Sequence, residues 1–270
     1  MNISEQEFIK FSNYIRSNFG ISLSNKKVTF LTSRLGSILE KSNFKTFSEY
    51  YDHVTSDASG ESVIEMINKI TTNYTYFYRE EKHFDYLRET VLPYIYEKEI
   101  KNRDLRIWSA GCSSGEEPYA LQMIIKDFFA DKPGSWDTKL LATDISTKAL
   151  IKAQSGIYPL ESIEKIPKSW KTKYFQIADP KNVVVKDVIK NEIIFKRFNL
   201  MNSFPFKKKF HVIFCRNVMI YFDAKTKIDL INKFYEFTEP GGYLFIGHSE
   251  SVDRAYSQYK YIQPAIYRKE

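Results

Sequence analysis

Over the first 70 or so positions, apolar residues recur at helical spacing and strand signals are almost absent. In the stretch 26–41, Val28, Leu31, Leu35 and Ile38 step by three and four, which marks one face of an amphipathic helix. From about Leu105 the pattern changes. LRIWSAG, KLLATDI, EIIFKRFNL, FHVIFCRN and GYLFIGHS read as strands, and EEPYALQMIIKDFFA and AKTKIDLINKFYEF as helices between them. That alternation predicts a mostly parallel α/β sheet with helices on both faces. The last strand pair, GYLFIGHS and PAIYRK, follows the Pro240-Gly241-Gly242 turn and reads as a hairpin at the sheet edge. Between KLLATDI and EIIFKRFNL lies a long stretch holding helical signals (STKALIKAQSG) and the strand-like NVVVKDV, so a small inserted subdomain is expected at about 155–191. The predicted organisation is a helical domain over 1–72, a linker over 73–92, and the sheet domain with its insertion over 93–270.

Composition narrows the setting. No run approaches the roughly 18–20 apolar residues of a membrane span, so membrane insertion is not expected. The opening MNISEQEFIKFSNYIRSNFG has early acids and helical spacing and does not read as a signal peptide. Two distant cysteines, Cys112 and Cys215, read as buried thiols of a cytoplasmic protein. Four histidines and two cysteines show no ligand spacing, so no metal is expected. With 40 basic against 33 acidic residues the net charge is +7, which suits either an acidic partner or solubility alone. Lys27, Arg34 and Lys41 recur every seven residues beside the apolar face of the first basic helix. They form either a solvated face or a docking stripe.

The stretch LRIWSAGCSSGEEPY, residues 105–119, has the strand–turn–helix layout that holds nucleotide-like cofactors. Its glycines fall as G-x-x-x-G (Gly111, Gly115) and not as the dinucleotide fingerprint G-x-G-x-x-G. Glu116 and Glu117 stand where a pyrophosphate would need bare backbone N–H groups. Acids at a helix start also complement the helix dipole, so the pair has an ordinary structural explanation. In a strand-end pocket, however, carboxylates repel phosphate and attract a cation, which fits S-adenosylmethionine. The other strand ends carry Asp144, Asn199-Leu200 and Arg216-Asn217. Asp144 suits two ribose hydroxyls, or alternatively a helix N-cap before STKAL.

The chain resembles the CheR-type chemotaxis receptor methyltransferases. The segments carrying the resemblance are TTNYTYFYREEKHF, RIWSAGCSSGEEPYAL, ATDISTKAL, FNL, FHVIFCRNVMIYFD and PGGYLFIGHSES. It implies an α/β fold: a Rossmann-like S-adenosylmethionine-dependent methyltransferase sheet with a small inserted β-subdomain, preceded by an all-helical domain. The implied reaction is methyl esterification of glutamate side chains on cytoplasmic helices of chemoreceptors, with S-adenosyl-L-homocysteine as the other product. Carried over position by position, the cofactor contacts fall on Asn73, Thr75, Arg79, Glu117, Asp144, Asn199, Leu200, Arg216 and Asn217. Arg79 and Tyr221 fall near the transferred methyl. The protein is read as a monomer.

A glutamate acceptor is ionised at neutral pH, so it needs no general base. It needs a cation to gather and orient it, and Arg79 can supply a bidentate fork. Under this reading Lys27, Arg34 and Lys41 meet an acidic receptor helix. Some family members also dock to the receptor's C-terminal tail through a hairpin of the β-subdomain. The corresponding FQIADPKNVVVKD is short and lacks glycine, so tail docking is not expected. A nucleic-acid methyltransferase would also explain the charge, but an (Asn/Asp/Ser)-Pro-Pro-(Tyr/Phe) turn is missing where the chain reads CRNVMIYF, and no nucleic-acid partner is expected.

Overall fold

A computed structural model describes residues 2–270, the Asn25 side chain excepted. The chain opens with four helices, α1 (Glu5–Phe19), α2 (Val28–Leu39), α3 (Phe47–Ser56) and α4 (Glu61–Ile70). Ser4 starts α1 through a reciprocal capping box with Glu7, and Gly20 ends it in the left-handed conformation at φ +72°. Phe8, Phe11, Ile15 and Phe19 then lie on one buried stripe of α1. They pack with Leu31, Leu35 and Ile38 of α2 and with Met66, Ile67 and Ile70 of α4 in a core of their own. The predicted helix over 26–41 is shorter than expected. Asn25–Lys27 form a 3₁₀ turn before α2, and Lys41 lies beyond its end.

An extended connector leads to α5 (Lys82–Tyr86), a π-helical turn at Leu87–Val91 and α6 (Leu92–Lys98). The sheet region follows as β1 (Ile107–Ala110), α7 (Glu116–Phe128), β2 (Leu140–Asp144) and α8 (Thr147–Ser155). Next come β3 (Ile157–Pro159), α9 (Lys168–Tyr174), β4 (Phe175–Asp179), β5 (Asn182–Val185) and α10 (Asp187–Lys190). The chain ends with β6 (Ile193–Arg197), β7 (Phe210–Cys215), α11 (Ala224–Glu236), β8 (Thr238–Ile246), β9 (Lys260–Gln263) and β10 (Ile266–Arg268).

Seven strands form one sheet in the order β6-β2-β1-β7-β8-β10-β9, and β3-β5-β4 form a separate antiparallel sheet. Strands β6, β2, β1, β7 and β8 run parallel. Their side chains alternate between two cores. Val212, Phe214, Tyr243 and Phe245 face one, while Ile213, Cys215, Leu244 and Ile246 face the other around Trp108. Burial on both faces is why β1 and β7 read as continuous apolar runs, whereas the edge strand β6 buries only Ile193 fully.

GYLFIGHS and PAIYRK form the expected antiparallel pair, as β8 and β10, but that pair does not end the sheet. Pro240 and Gly241 lie inside β8, and PAIYRK supplies β10, which is enclosed between β8 and β9. The edge on this side is β9, KYIQ, whose mostly exposed side chains leave no hydrophobic pattern to read; β6 forms the opposite edge. Both cysteines are buried and unpaired.

Candidate active site

The strand order reverses between β1 and β7, and β1 is followed by a crossover to β2 on one side while β7 leads to β8 on the other. Ligands of open α/β sheets lie at the carboxyl ends of the strands at such a switch point. A cavity of about 390 Å³ sits there. All ten residues assigned to cofactor or methyl from the sequence line it: Asn73, Thr75, Arg79, Glu117, Asp144, Asn199, Leu200, Arg216, Asn217 and Tyr221.

Asp144 ends β2 and is buried. Its two carboxylate oxygens accept the backbone N–H groups of Ser113 and Ser146, each at 2.8 Å. Burial raises its pKa above the ordinary carboxylate value, and the backbone hydrogen bonds offset only part of that. It does not cap α8. Ser146 does, accepting from the Ala149 amide at 3.2 Å.

The two neighbouring acids separate. Glu116 is buried away from the cavity against the Ser114 hydroxyl at 2.7 Å, and burial raises its pKa. Glu117 lines the cavity, accepting from Ser109 Oγ at 2.8 Å and from Arg216 Nη1 at 2.9 Å.

Arg216 has only 3% of its side chain exposed. Besides Glu117 it donates to Glu80 Oε2 from Nε at 3.2 Å and from Nη2 at 3.0 Å, and Nη2 also reaches the Arg79 carbonyl. Its donors are therefore largely committed inside the protein, and it holds Glu117 and the connector in place. Asn217 follows at φ +58°, with its amide on Glu250 Oε2 at 2.9 Å. The Asn199 side chain is likewise committed, donating to the Asn18 carbonyl at 2.7 Å and accepting from the Met201 amide at 3.0 Å. Asn199 thus borders the cavity while tying it to the end of α1. Asn73 reaches Ser146 Oγ at 3.4 Å, and its carbonyl accepts from Ser113 Oγ at 3.2 Å.

At the mouth, Arg79 makes one side-chain hydrogen bond among the described residues, to the Tyr74 carbonyl at 3.0 Å, and stands over the rings of Tyr74 and Tyr76. Tyr221 is half-buried, and its carbonyl accepts from Ser22 at 2.8 Å.

Glu80 and Glu250 are functional-site residues that sequence reasoning passed over, although both fall within segments that carry the family resemblance. Burial alone would raise the Glu80 carboxyl, but Arg216 and the His248 amide outweigh it and hold the group below its ordinary value. Glu250 gathers the amides of Gly247, Asn217 and Ile220, joining the loops after β7 and β8. The histidines also differ from expectation. The rings of His83 and His248 meet at 4.8 Å, and with Glu80 they bring three ligand atoms within 4.8 Å of one another. Glu80 Oε2, which lies 3.5 Å from His83, already has its cation in Arg216.

The cavity suits an adenosyl ligand. Ile70, Ile145, Phe198, Leu200 and Val218 give it apolar walls, Asp144 offers hydroxyl acceptors, and Glu117 disfavours phosphate. Gly111, at φ +87°, leaves no room for a Cβ against Val218. Comparison with known families gives this combination its class. The family model described as CheR methyltransferase, SAM binding domain, matches residues 73–267, so the protein is an S-adenosylmethionine-dependent methyltransferase. The model for the CheR methyltransferase all-alpha domain matches residues 6–71. The chain belongs to the CheR methyltransferase family. It is 45% identical to a chemotaxis protein methyltransferase of Borreliella burgdorferi, covering 100% of this chain and 96% of that protein. It is 37% identical to a probable chemotaxis protein methyltransferase of Rhizobium etli, covering 88% and 90%. A third relative, chemotaxis protein methyltransferase 2 of Vibrio cholerae, is 36% identical over 93% of this chain and 88% of its own.

Proposed function

We propose that the protein transfers the methyl of S-adenosylmethionine to glutamate side-chain carboxylates of chemoreceptors, forming methyl esters for sensory adaptation. The observation that carries this reading is the pairing state of the two cavity arginines. Among the described residues Arg216 is bound by two carboxylates, whereas Arg79 has only a carbonyl partner and aromatic rings. An arginine with free donors beside the reaction region suits an anionic acceptor.

The bound cofactor supplies an activated methyl on a sulfonium. The chain's own residues then have to align an oxygen and exclude water. Arg79 gathers and orients the acceptor carboxylate, and Tyr221 borders the methyl from the loop after β7. Asp144 takes the ribose hydroxyls, Leu200 and the Asn199 backbone flank the base, and Asn73, Thr75, Glu117 and Asn217 complete the enclosure. No proton need be removed from the acceptor.

We divide the chain at residue 72 and take 73–92 as a connector contributing to the site; the boundary between the family-model matches, 6–71 and 73–267, supports the division at 72. We place the reaction in the cytoplasm, with a monomer as the working unit. Recognition runs directly to the receptor's methylation helices, with Lys27, Arg34 and Lys41 as contacts. The β4–β5 hairpin tip is only Pro180-Lys181, pinned by Asp179, which favours this over tail docking. The test is incubation with methyl-labelled cofactor and receptor-rich membranes. Label released as methanol by mild base identifies a carboxyl ester; base-stable label, or label in nucleic acid, overturns the reading.

A further inference from the structure

Three cations from three separate parts of the chain stand over tyrosines that line the same cavity. Lys27, just before α2, has its ammonium 5.7 Å from the Tyr221 ring centre. Arg79, in the connector, lies 6.0 Å from the rings of both Tyr74 and Tyr76. Lys165, in the inserted segment before α9, lies 5.3 Å from the Tyr76 ring. Among the described residues none of the three is ion-paired to a carboxylate. Tyr74 and Tyr76 are 73% and 38% exposed, large aromatic surfaces left facing water at the entrance to a site.

An ammonium over a ring is held weakly and keeps its N–H donors available. The tyrosine faces therefore park these cations at the mouth without neutralising them. A single arginine would suffice to orient one carboxylate; the two additional cations need a further role.

We infer that Lys27, Arg79 and Lys165 form an acceptor collar, in which Arg79 takes the reacting carboxylate. Lys27 and Lys165 select acidic residues flanking it on the same face of a helical segment. The inference rests on the reading of the acceptor as a glutamate. Acids one helical turn to either side of the target share its face, which is the spacing such a collar would grip. Lys165 brings the inserted subdomain into substrate choice, and Lys27 does the same for the helical domain.

The test uses the full-length protein and two helical peptides with one target glutamate, flanked at i−4 and i+3 by Glu in one and by Gln in the other. Base-labile methyl ester is the readout, and receptor-rich membranes are the positive control. The wild type is expected to favour the acidic-flanked peptide by about tenfold in kcat/KM at low salt, with the preference shrinking as salt rises. Lys165→Glu and Lys27→Glu should each remove most of that preference through KM and leave S-adenosylhomocysteine affinity unchanged, while Lys165→Arg retains it. Ester formation with no flank preference, or a preference that survives both reversals, overturns the collar alone. Transfer to a different kind of acceptor, with no base-labile ester anywhere, overturns the glutamate reading and the collar with it.

Discussion

Replacing Glu80 by Gln removes one of the two negative charges that hold a buried arginine. Arg216 keeps Glu117 at 2.9 Å but loses the carboxylate that accepts at 3.2 and 3.0 Å. At an effective dielectric of about 20, a unit-charge pair near 4 Å is worth about 4 kcal/mol, and breaking a buried pair costs about 3–5 kcal/mol. Glutamine still offers one acceptor oxygen and Glu117 remains, so the expected stability loss is about 2–3 kcal/mol. At about 2–4 °C per kcal/mol for a chain of this size, Tm falls by about 5–10 °C. Glu80 also accepts from the His248 amide at 3.2 Å and Asn217 Nδ2 at 3.5 Å, so the loops that frame the cavity loosen with it. We expect S-adenosylhomocysteine to bind about 10–100-fold more weakly, about 1.4–2.8 kcal/mol.

The Glu80 carboxyl is held below its ordinary 4.5, so its contribution is fully present above that pH and is lost as pH falls through the folded value. The difference between wild type and variant should therefore narrow as pH drops below 4.5. Thermal unfolding and calorimetric titration measure both effects, and a double-mutant cycle with Arg216→Met should give a coupling of about 1.5–3 kcal/mol. Unchanged Tm and cofactor affinity in Glu80→Gln, or a coupling near zero, would refute the claim that this pair braces the site.

Three further outcomes can be checked. Arg79→Ala should lower acceptor kcat/KM by about 10²-fold, with a much smaller loss of cofactor affinity, because on the proposed reading it forfeits orientation of the attacking oxygen; single-turnover methylation reads this directly. Gly111→Ala forces a side chain into a left-handed backbone and onto Val218 Cγ2, costing about 1–3 kcal/mol, and Val218→Ala should recover only the steric part in urea unfolding. Burial, with help from Arg216, pushes His83 down to about 3 from 6.5, so the unfolded chain binds the extra proton between these values and stability rises with pH there. His83→Phe should flatten the stability profile between pH 6.5 and 3 by up to about 1.4 kcal/mol per pH unit.

Elements buried on one stripe or on both faces were legible because burial imposes a period on the sequence. The α1 spacing of Phe8, Phe11, Ile15 and Phe19 and the apolar run of β7 are cases of each kind. The edge strand β9 had no such imprint. At the site, the glycines and strand-end residues could be read locally, since each does its work by its own backbone position. Glu80 could not, because its partner Arg216 is 136 positions away and neither residue alone signals the pairing. The commitment of the Asn199 side chain to Asn18, 181 positions earlier, was equally out of reach.

The distribution of stiffness around the cavity follows from the chemistry. Tyr78, Glu80, Ser113 and Asn217 all have positive φ, a conformation that costs a non-glycine residue about 1–3 kcal/mol. Ser113 and Asn217 line the cavity, while Glu80 braces Arg216 from the connector. Such strain persists only where the surroundings over-determine it, and here the Asp144, Glu80 and Glu250 carboxylates gather amides from several loops at once. On the proposed reading the methyl is already activated and the acceptor already ionised, so little remains for the protein beyond holding the donor still and letting one oxygen approach in line. A rigid, ion-locked floor serves the first task. On the same proposal the second falls to cations held over tyrosine rings with no carboxylate partner among the described residues, and that looseness leaves room for acceptors in differing helical surroundings. Tightening that entrance should therefore narrow the acceptor range before it raises the rate on any one acceptor.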